Sequence, residues 1–373
     1  MKKWGLLLIL LLSLLPRVAY AEETADAICI EGETEGLDTD AVDAAAEKMD
    51  AEVSFSDLLA EILSGEFDFT FANIKEKALE LTFGELRMQG RLLAQLVLIV
   101  ILSAILKQCS DSFQGKNVGE MGFYVCYMVL IVAILTSFYS ISQSVVERMR
   151  GLCGVFGAMV PIFLVLSASS GNLTQGALMG PTLMGGVAAL SVGISYVLIP
   201  AIQLSIALEM TDHISEKPIL GKFAELLRQC ISWGMKGAAM LFMLLLSLQK
   251  IGGGALNGLA AKTAKIVVGA VPVVGGVMGG AVETAAAMAG TLKSGTLVAA
   301  VVLLLLLCLP LLIKLLVILF VFRLTAAAAE FICEERLVEC IAAAGEYIGL
   351  LLGIVFLGEG MFFFSALLLL GGL

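Results

Sequence analysis

The sequence predicts an all-α polytopic membrane protein with about seven to eight transmembrane helices. Of its 373 residues, 59% are hydrophobic and 15% are charged, and the mean hydropathy is +0.99. Soluble domains carry about 25% charged residues. The apolar residues form long runs, and a crossing helix needs about 20 of them. The run from 151 to 208 contains no formal charge, which is enough sequence for two crossings.

The N-terminus has the pattern of a secretory signal peptide over residues 1–21. Lys2 and Lys3 form a positive start, residues 6–15 are apolar, and Ala19-Tyr20-Ala21 is a small-residue cleavage site. An uncleaved signal anchor is the alternative. In both cases the following segment is expected to lie outside the cytoplasm.

The next segment carries the negative charge of the chain, because residues 22–80 hold eighteen acidic side chains and three lysines. Residues 22–54 are acidic and poor in aromatic side chains, a composition that is typical of disorder, so order is expected to begin near Phe55. Residues 55–89 predict two short amphipathic helices on the outer membrane face. The chain offers no basic surface suited to nucleic acid.

A polytopic transmembrane domain is predicted over residues 90–373, with eight crossings, or seven if residues 266–282 are re-entrant. The predicted crossings are 90–107, 121–142, two within 151–208, 232–249, 266–282, 294–322 and 347–370. Amphipathic surface helices are predicted at 213–230 and 326–346. The loop 250–265 holds three lysines and no acid, so the positive-inside rule places it in the cytoplasm, in agreement with an exported N-terminus.

The segment 266–282 is rich in glycine and contains a proline, and both residue types weaken a helix. The candidate residues are Pro272, Gly275, Gly276, Gly279 and Gly280. One interpretation is a tightly packed helix pair, because small residues four apart let helix backbones approach closely. The other is a discontinuous element that lines a conduit or a binding site. Pro161 ends a short stretch similar to the one that ends at Pro272, which favours a weak internal repeat.

Four charged residues near or within the predicted spans are further candidates. Lys314 and Glu359 fall inside spans, where a charge is costly and therefore informative. The alternative is that both lie near an interface and extend toward water. Glu85 and Arg87 precede the first span at a spacing that keeps them off one helical face. Each is expected to contact another segment or subunit, or else to act as an interfacial anchor.

No catalytic, cofactor or metal site is predicted. His213 is the single histidine, which argues against a histidine-based metal site and against a Ser-His-Asp set. The eight cysteines include no CxxC pair. Residues 254–263 contain glycines and a Lys-Thr pair, but their spacing differs from that of a phosphate-binding loop.

Five stretches, in their order along the chain, resemble one family. They are Leu81–Arg87, Phe123–Tyr127, Lys262–Gly276, Leu309–Leu312 and Phe322–Leu324. Together with the signal peptide and the exported segment, they are similar to the stage III sporulation protein AE family of endospore-forming Firmicutes. The exported segment resembles that family least.

The resemblance implies a non-enzymatic, multi-pass protein of the mother-cell membrane that surrounds the forespore. Its implied partners are the other stage III sporulation A-operon proteins, AA to AH, and through them the forespore stage II sporulation protein Q. The implied complex is a secretion-like channel that maintains the forespore and permits its late gene expression. From the residues alone, a stand-alone secondary transporter is the alternative, whereas an intramembrane enzyme lacks a visible nucleophile–base set.

The glycines of the segment 266–282 generate the first prediction. We expect Gly276→Leu and Gly280→Leu to abolish spore formation, because a packed helix interface cannot absorb the added volume. The corresponding Ala variants should be partly tolerated. The measurement is spore yield against membrane abundance of each variant. Wild-type spore yield from both Leu variants would mean that this segment faces lipid or a loose loop.

Overall fold

The computed structural model describes residues 39–49, 51, 53–63, 71–112, 116–169, 173–212, 220–251 and 295–371. The described part is helical, which confirms the predicted all-α class. Its helices are α1 Asp40–Glu47, α2 Phe55–Leu63, α3 Phe71–Ser112, α4 Lys116–Ser169, α5 Leu173–Gly193, a π segment Ile194–Leu198, α6 Ile199–Asp212, α7 Gly221–Ile251, α8 Gly295–Ala329 and α9 Glu335–Gly371.

Six stretches in the described part are long and apolar enough to cross a membrane. They are Leu81–Ile105, Tyr124–Phe163, Leu183–Asp212, Gly221–Ser247, Val298–Ala329 and Glu335–Leu367. The chain is therefore a multi-pass membrane protein, and the predicted total of seven to eight crossings is approximate. The predicted signal peptide and the glycine-rich segment 266–282 lie outside the described residues.

Two predicted crossings, 121–142 and the first half of 151–208, are one helix. The sequence places Glu147, Arg148 and Arg150 between them, and the two apolar runs on either side were predicted to be separate crossings. Glu and Arg are good helix formers, and nothing between Phe138 and Arg150 ends a helix, so α4 continues through them. At about 1.5 Å per residue, such a helix is far longer than the ~30 Å hydrocarbon core.

This continuity alters the topology derived from the sequence. If each described crossing counts once and the N-terminus is exported, then α3, α4, the α5–α6 pair and α7 bring the chain back outside at Ile251. The basic loop 250–265 then begins outside the cytoplasm, on the same side as the N-terminus. The signal peptide and the positive-inside rule, which agreed in the sequence, thus oppose each other.

Three predicted surface helices are likewise extensions of crossing helices. The second amphipathic run of 55–89 is the start of α3, and the run 213–230 mostly belongs to α7. The predicted helix 326–346 is wrong, because a turn at 330–334 separates α8 from α9. Pro161 and Pro310 lie inside continuous helices. A proline removes a single backbone donor, and an apolar environment offers the remaining groups no better partner than the helix.

The helices α8 and α9 form an antiparallel hairpin at the centre of the bundle. Gly345 on α9 lies against Phe322 near the end of α8, and further along the pair Glu359 lies within electrostatic range of Cys308, as expected for antiparallel helices. These two stretches have the largest buried share of the six, and α8 is the most apolar. The hairpin contacts α2 and α3 through α8. It contacts α5, α6 and α7 through α9, and α4 through both helices.

The helices α3 and α7 lie at the periphery and expose apolar side chains. Their crossing stretches have the smallest buried share of the six. Leu98 on α3 and Trp233 and Leu241 on α7 are among the exposed residues. In a membrane such side chains face lipid or other proteins.

An ordered helix, α1, begins within the segment 22–54 that was predicted to be disordered. Val42 and Ala46 on α1 are buried, and α1 contacts α4. Its neighbour α2 begins with a capped turn, since Ser54 Oγ accepts the backbone N–H of Asp57 at 3.1 Å. Asp43 on α1 accepts the backbone N–H of Phe55. The burial that orders α1 comes from the bundle, which composition alone does not reveal.

A cluster of hydrogen bonds ties α6, α7 and α9 together. The Tyr347 hydroxyl on α9 donates to Glu209 on α6 at 2.5 Å and lies 2.8 Å from Ser205 Oγ. Ser205 Oγ also donates to the Ala224 carbonyl on α7 at 3.1 Å. Arg228 on α7 pairs with Glu346 and lies over the Tyr347 ring. We call this group the Tyr347 cluster.

The contact between α5 and α7 generates the second prediction. A Cβ atom on Gly186 would lie 2.5 Å from Cδ1 of Leu245, whereas one on Gly185 would meet nothing within 4 Å. Gly186→Leu should therefore destabilise the protein by about 1–3 kcal/mol through overpacking. Gly185→Leu is the matched control and should be near neutral. The loss of stability is measured by thermal unfolding of the purified variants in detergent. Equal unfolding midpoints for the two variants would contradict the packing of α5 on α7.

The Tyr347 cluster generates the third prediction. Tyr347→Phe keeps the ring and removes the hydroxyl that Glu209 and Ser205 contact, which should cost about 1–3 kcal/mol of stability. Tyr139→Phe removes an exposed hydroxyl and should cost little. The same unfolding assay compares the two variants. A Tyr347→Phe protein as stable as the Tyr139→Phe protein would mean that the cluster contributes nothing.

Candidate functional site

The helices α4 and α9 and the π segment meet at Gly358. A Cβ atom there would lie 3.0 Å from Sδ of Met149 on α4 and 3.7 Å from Cδ1 of Ile194 in the π segment. A residue larger than glycine would have to displace one of these side chains. The close approach places Arg148 and Glu359, the sequence neighbours of Met149 and Gly358, at the same level of the bundle.

Glu359 is a buried carboxyl group, with 3% of the residue exposed. Neither of its oxygens has a hydrogen-bond partner among the described residues. Two other buried polar groups, Ser142 and Thr325, each donate to the carbonyl four residues earlier at 2.8 Å. A buried polar group without a partner is costly and rare in a folded protein. Glu359 is therefore the first candidate for a functional group.

Arg148 on α4 interacts electrostatically with Glu359. Its Nη1 atom donates to the backbone carbonyl of Met49 at 2.8 Å. Met49 directly follows α1, and its side chain lies against Gly151 on α4. Arg148 thus holds the end of α1 on α4 while it remains within electrostatic range of Glu359.

The π segment is the third wall of this site. Ser195, which follows Ile194, is buried, and its hydroxyl has no hydrogen-bond partner among the described residues. Tyr196 is exposed, and its hydroxyl accepts Arg150 Nη2 at 3.2 Å. Single π turns inside α-helices are frequent at functional sites.

The residues beside Gly358 and Glu359 restrict the chemistry of the site. Met149 and Ile194 lie beside Gly358, and Cys308 lies within electrostatic range of Glu359; their sulfur and hydrocarbon groups are poor ligands for hard cations such as Mg²⁺ and Ca²⁺. Within the described ranges, no group of three or more His, Cys, Asp or Glu side chains could hold a metal. Glu359 can bind or release a proton. The guanidinium of Arg148 can exchange its partner, the Met49 carbonyl, for an ionised Glu359.

The sequence candidates occupy different places in the structure. Glu359 is buried, whereas Lys314 on α8 is partly exposed, and the two do not form an ion pair. Glu85 accepts Nε2 of Gln89 at 3.5 Å on its own helix, and Arg87 is exposed. Their contacts with another segment or subunit stay a prediction. Pro161 is exposed on α4. Pro272 and the four candidate glycines that follow it lie outside the described residues.

Sequence reasoning missed Arg148 and Met49 as members of the site. One pattern pointed to Arg148, since it belongs to a short charged group between two apolar runs that lack a helix breaker. Nothing in the sequence pointed to Met49, because its contribution is a backbone carbonyl almost one hundred residues away. The unpartnered hydroxyl of Ser195 was likewise not foreseen, because serine is common in membrane helices.

Comparison with known proteins places this chain in a family. The family model for "Stage III sporulation protein AE" matches residues 53–372. The chain is also 26% identical over 311 residues to the "Stage III sporulation protein AE" of Bacillus subtilis (strain 168), which covers 82% of this chain and 77% of the relative. No solved structure matches. The match extends from α2 to the end of α9, and the chain therefore belongs to the stage III sporulation protein AE family.

Proposed function

We propose that this protein is a non-enzymatic membrane component of a channel complex between mother cell and forespore. It lies in the mother-cell membrane around the forespore, with residues 22–80 on the side away from the mother-cell cytoplasm. The complex maintains the forespore and permits its late gene expression. Its other members are the remaining products of the stage III sporulation A operon, AA to AH, and, on the forespore side, the stage II sporulation protein Q.

The observation that carries this proposal is the family match over residues 53–372 of a multi-pass chain. The match includes the crossing helices and α2, so a role in sporulation involves the bundle as a whole. The family description names a sporulation protein and no reaction. A structural role within an assembly agrees with that description.

The periphery of the bundle supports assembly with other membrane proteins. The helices α3 and α7 expose apolar side chains along much of their length, among them Leu98, Trp233 and Leu244. Helix association in membranes relies on such surfaces, because lipid and partner helices compete for them. The glycine-rich segment 266–282 is a further proposed packing or conduit element.

A second candidate function is that of a stand-alone, proton-coupled transporter. Buried Glu359 without a hydrogen-bond partner and the adjoining π segment favour it. Intramembrane carboxyl groups commonly mark ion or proton pathways. The two functions differ in whether the protein acts alone.

The fourth prediction separates these functions in a sporulating strain that lacks the protein. Loss of heat-resistant spores and of a late forespore reporter is expected, and both should return with the wild-type chain. Crosslinking in membranes, followed by purification of the tagged chain, should recover the other A-operon products.

Two outcomes would contradict the channel proposal. Normal spore yield without the protein would exclude a required role in sporulation. Recovery of the chain without partners, together with substrate uptake by the protein alone in liposomes, would favour the transporter.

A further inference from the structure

The site at Gly358 joins a buried acid, a cation and the end of the exported segment. We propose that Glu359 is a proton-binding group whose charge state controls, through Arg148, the docking of α1 on α4. The inference concerns the isolated bundle and does not depend on the channel proposal. It rests on three observations, namely the burial of Glu359, the hydrogen bond of Arg148, and the close contact of the helices that carry them.

The first step concerns the charge of Glu359. Its two oxygens have no hydrogen-bond donor among the described residues, and 3% of the residue is exposed. An ionised carboxylate in that environment needs a bonded cation, whereas a protonated carboxyl needs far less solvation. The packing seen here therefore corresponds to the protonated group.

The second step concerns Arg148, whose bonded partner is a neutral carbonyl group. Nη1 donates to Met49 O at 2.8 Å, and no carboxylate lies within ion-pair distance in the part of the chain that the structure describes. A guanidinium binds a carboxylate more strongly than a carbonyl. When Glu359 releases its proton to water, the new carboxylate competes for Arg148, and the Met49 carbonyl loses its donor.

The other groups around Glu359 do not replace Arg148 in this exchange. From α8 the facing titratable group is the thiol of Cys308. On α4, Glu147 and Arg150 are exposed, and Arg150 bonds to Tyr196, the exposed tyrosine of the π segment. α5 has no titratable residue, and the two acids of α6, Glu209 and Asp212, bond to the Tyr347 hydroxyl and the Leu220 amide. From α7, Met235 meets α9 at Gly353, and its neighbour Lys236 is exposed.

The element that responds to the ionisation of Glu359 is α1, which lies in the segment 22–54. α1 is short, and it is held by the burial of Val42 and Ala46, by the packing of Met49 on Gly151, and by the Arg148 bond. Loss of one charge-assisted hydrogen bond should therefore raise its opening population by about tenfold. Acidic conditions keep α1 docked, and alkaline conditions loosen it.

The fifth prediction is tested on the full-length protein in lipid nanodiscs. Hydrogen exchange of peptides covering residues 39–63, corrected for intrinsic rates, should be about tenfold faster at alkaline than at acidic pH. Glu359→Gln should remain slow at both pH values, because it cannot ionise. Arg148→Gln should be fast at both. Asp212→Asn is the matched control, since Asp212 is a buried carboxyl bonded to the Leu220 amide at 2.7 Å, and it should keep the wild-type response.

Exchange in α8 and α9 reports whether each variant retains the bundle and should not change. At a pH at which exposed carboxyl groups are ionised and Glu359 is still protonated, an infrared band of a protonated carboxyl group should be present in the wild-type protein and lost in Glu359→Gln. Wild-type exchange of residues 39–63 that does not depend on pH would overturn the proposal. A Glu359→Gln protein that keeps the pH response, or that keeps the infrared band, would also overturn it.

Discussion

The antiparallel packing of α8 on α9 is the interaction on which the rest of the described structure depends. The two helices meet at two positions along the pair: Gly345 lies against Phe322, and Glu359 lies within electrostatic range of Cys308. Because lipid is as apolar as leucine, close packing rather than burial from water must hold such a pair together. The helices α2 to α7 contact this hairpin, α1 contacts α4 and α2, and α3 and α7 are left with faces for lipid or partners.

The position of α9 in the bundle also explains why the Tyr347 cluster and Glu359 have different surroundings. In the Tyr347 cluster, α9 meets α6 and α7 where hydroxyl, carboxylate and guanidinium groups can satisfy one another. About three turns further along α9, Gly358 brings the helix close to Met149, and the next residue, Glu359, is buried without a hydrogen-bond partner among the described residues. The first arrangement stabilises the bundle, whereas the second leaves a titratable group without a partner.

The predictable part of this structure is the part that hydropathy controls. Apolar runs indicated the helices and the multi-pass class, because a membrane leaves few other ways to satisfy the backbone. Helix ends were less predictable, because the charged residues Glu147, Arg148 and Arg150 separate two apolar runs but lie inside α4. Within the site, Glu359 was identified from its charge in an apolar run. The roles of Arg148 and of Met49, which accepts its hydrogen bond, depend on tertiary contacts that leave no periodic pattern in the sequence.

In this bundle α8 and α9 lie inside the protein while α3 and α7 form its surface. Nitroxide labels on the purified protein in a bilayer, placed in turn at Leu351 on α9, Leu98 on α3 and Leu241 on α7, measure contact with dissolved oxygen, which is concentrated in lipid. Low oxygen accessibility is expected at buried Leu351, and high accessibility at exposed Leu98 and Leu241. Equal accessibility at the three positions would contradict a bundle built on the α8–α9 hairpin.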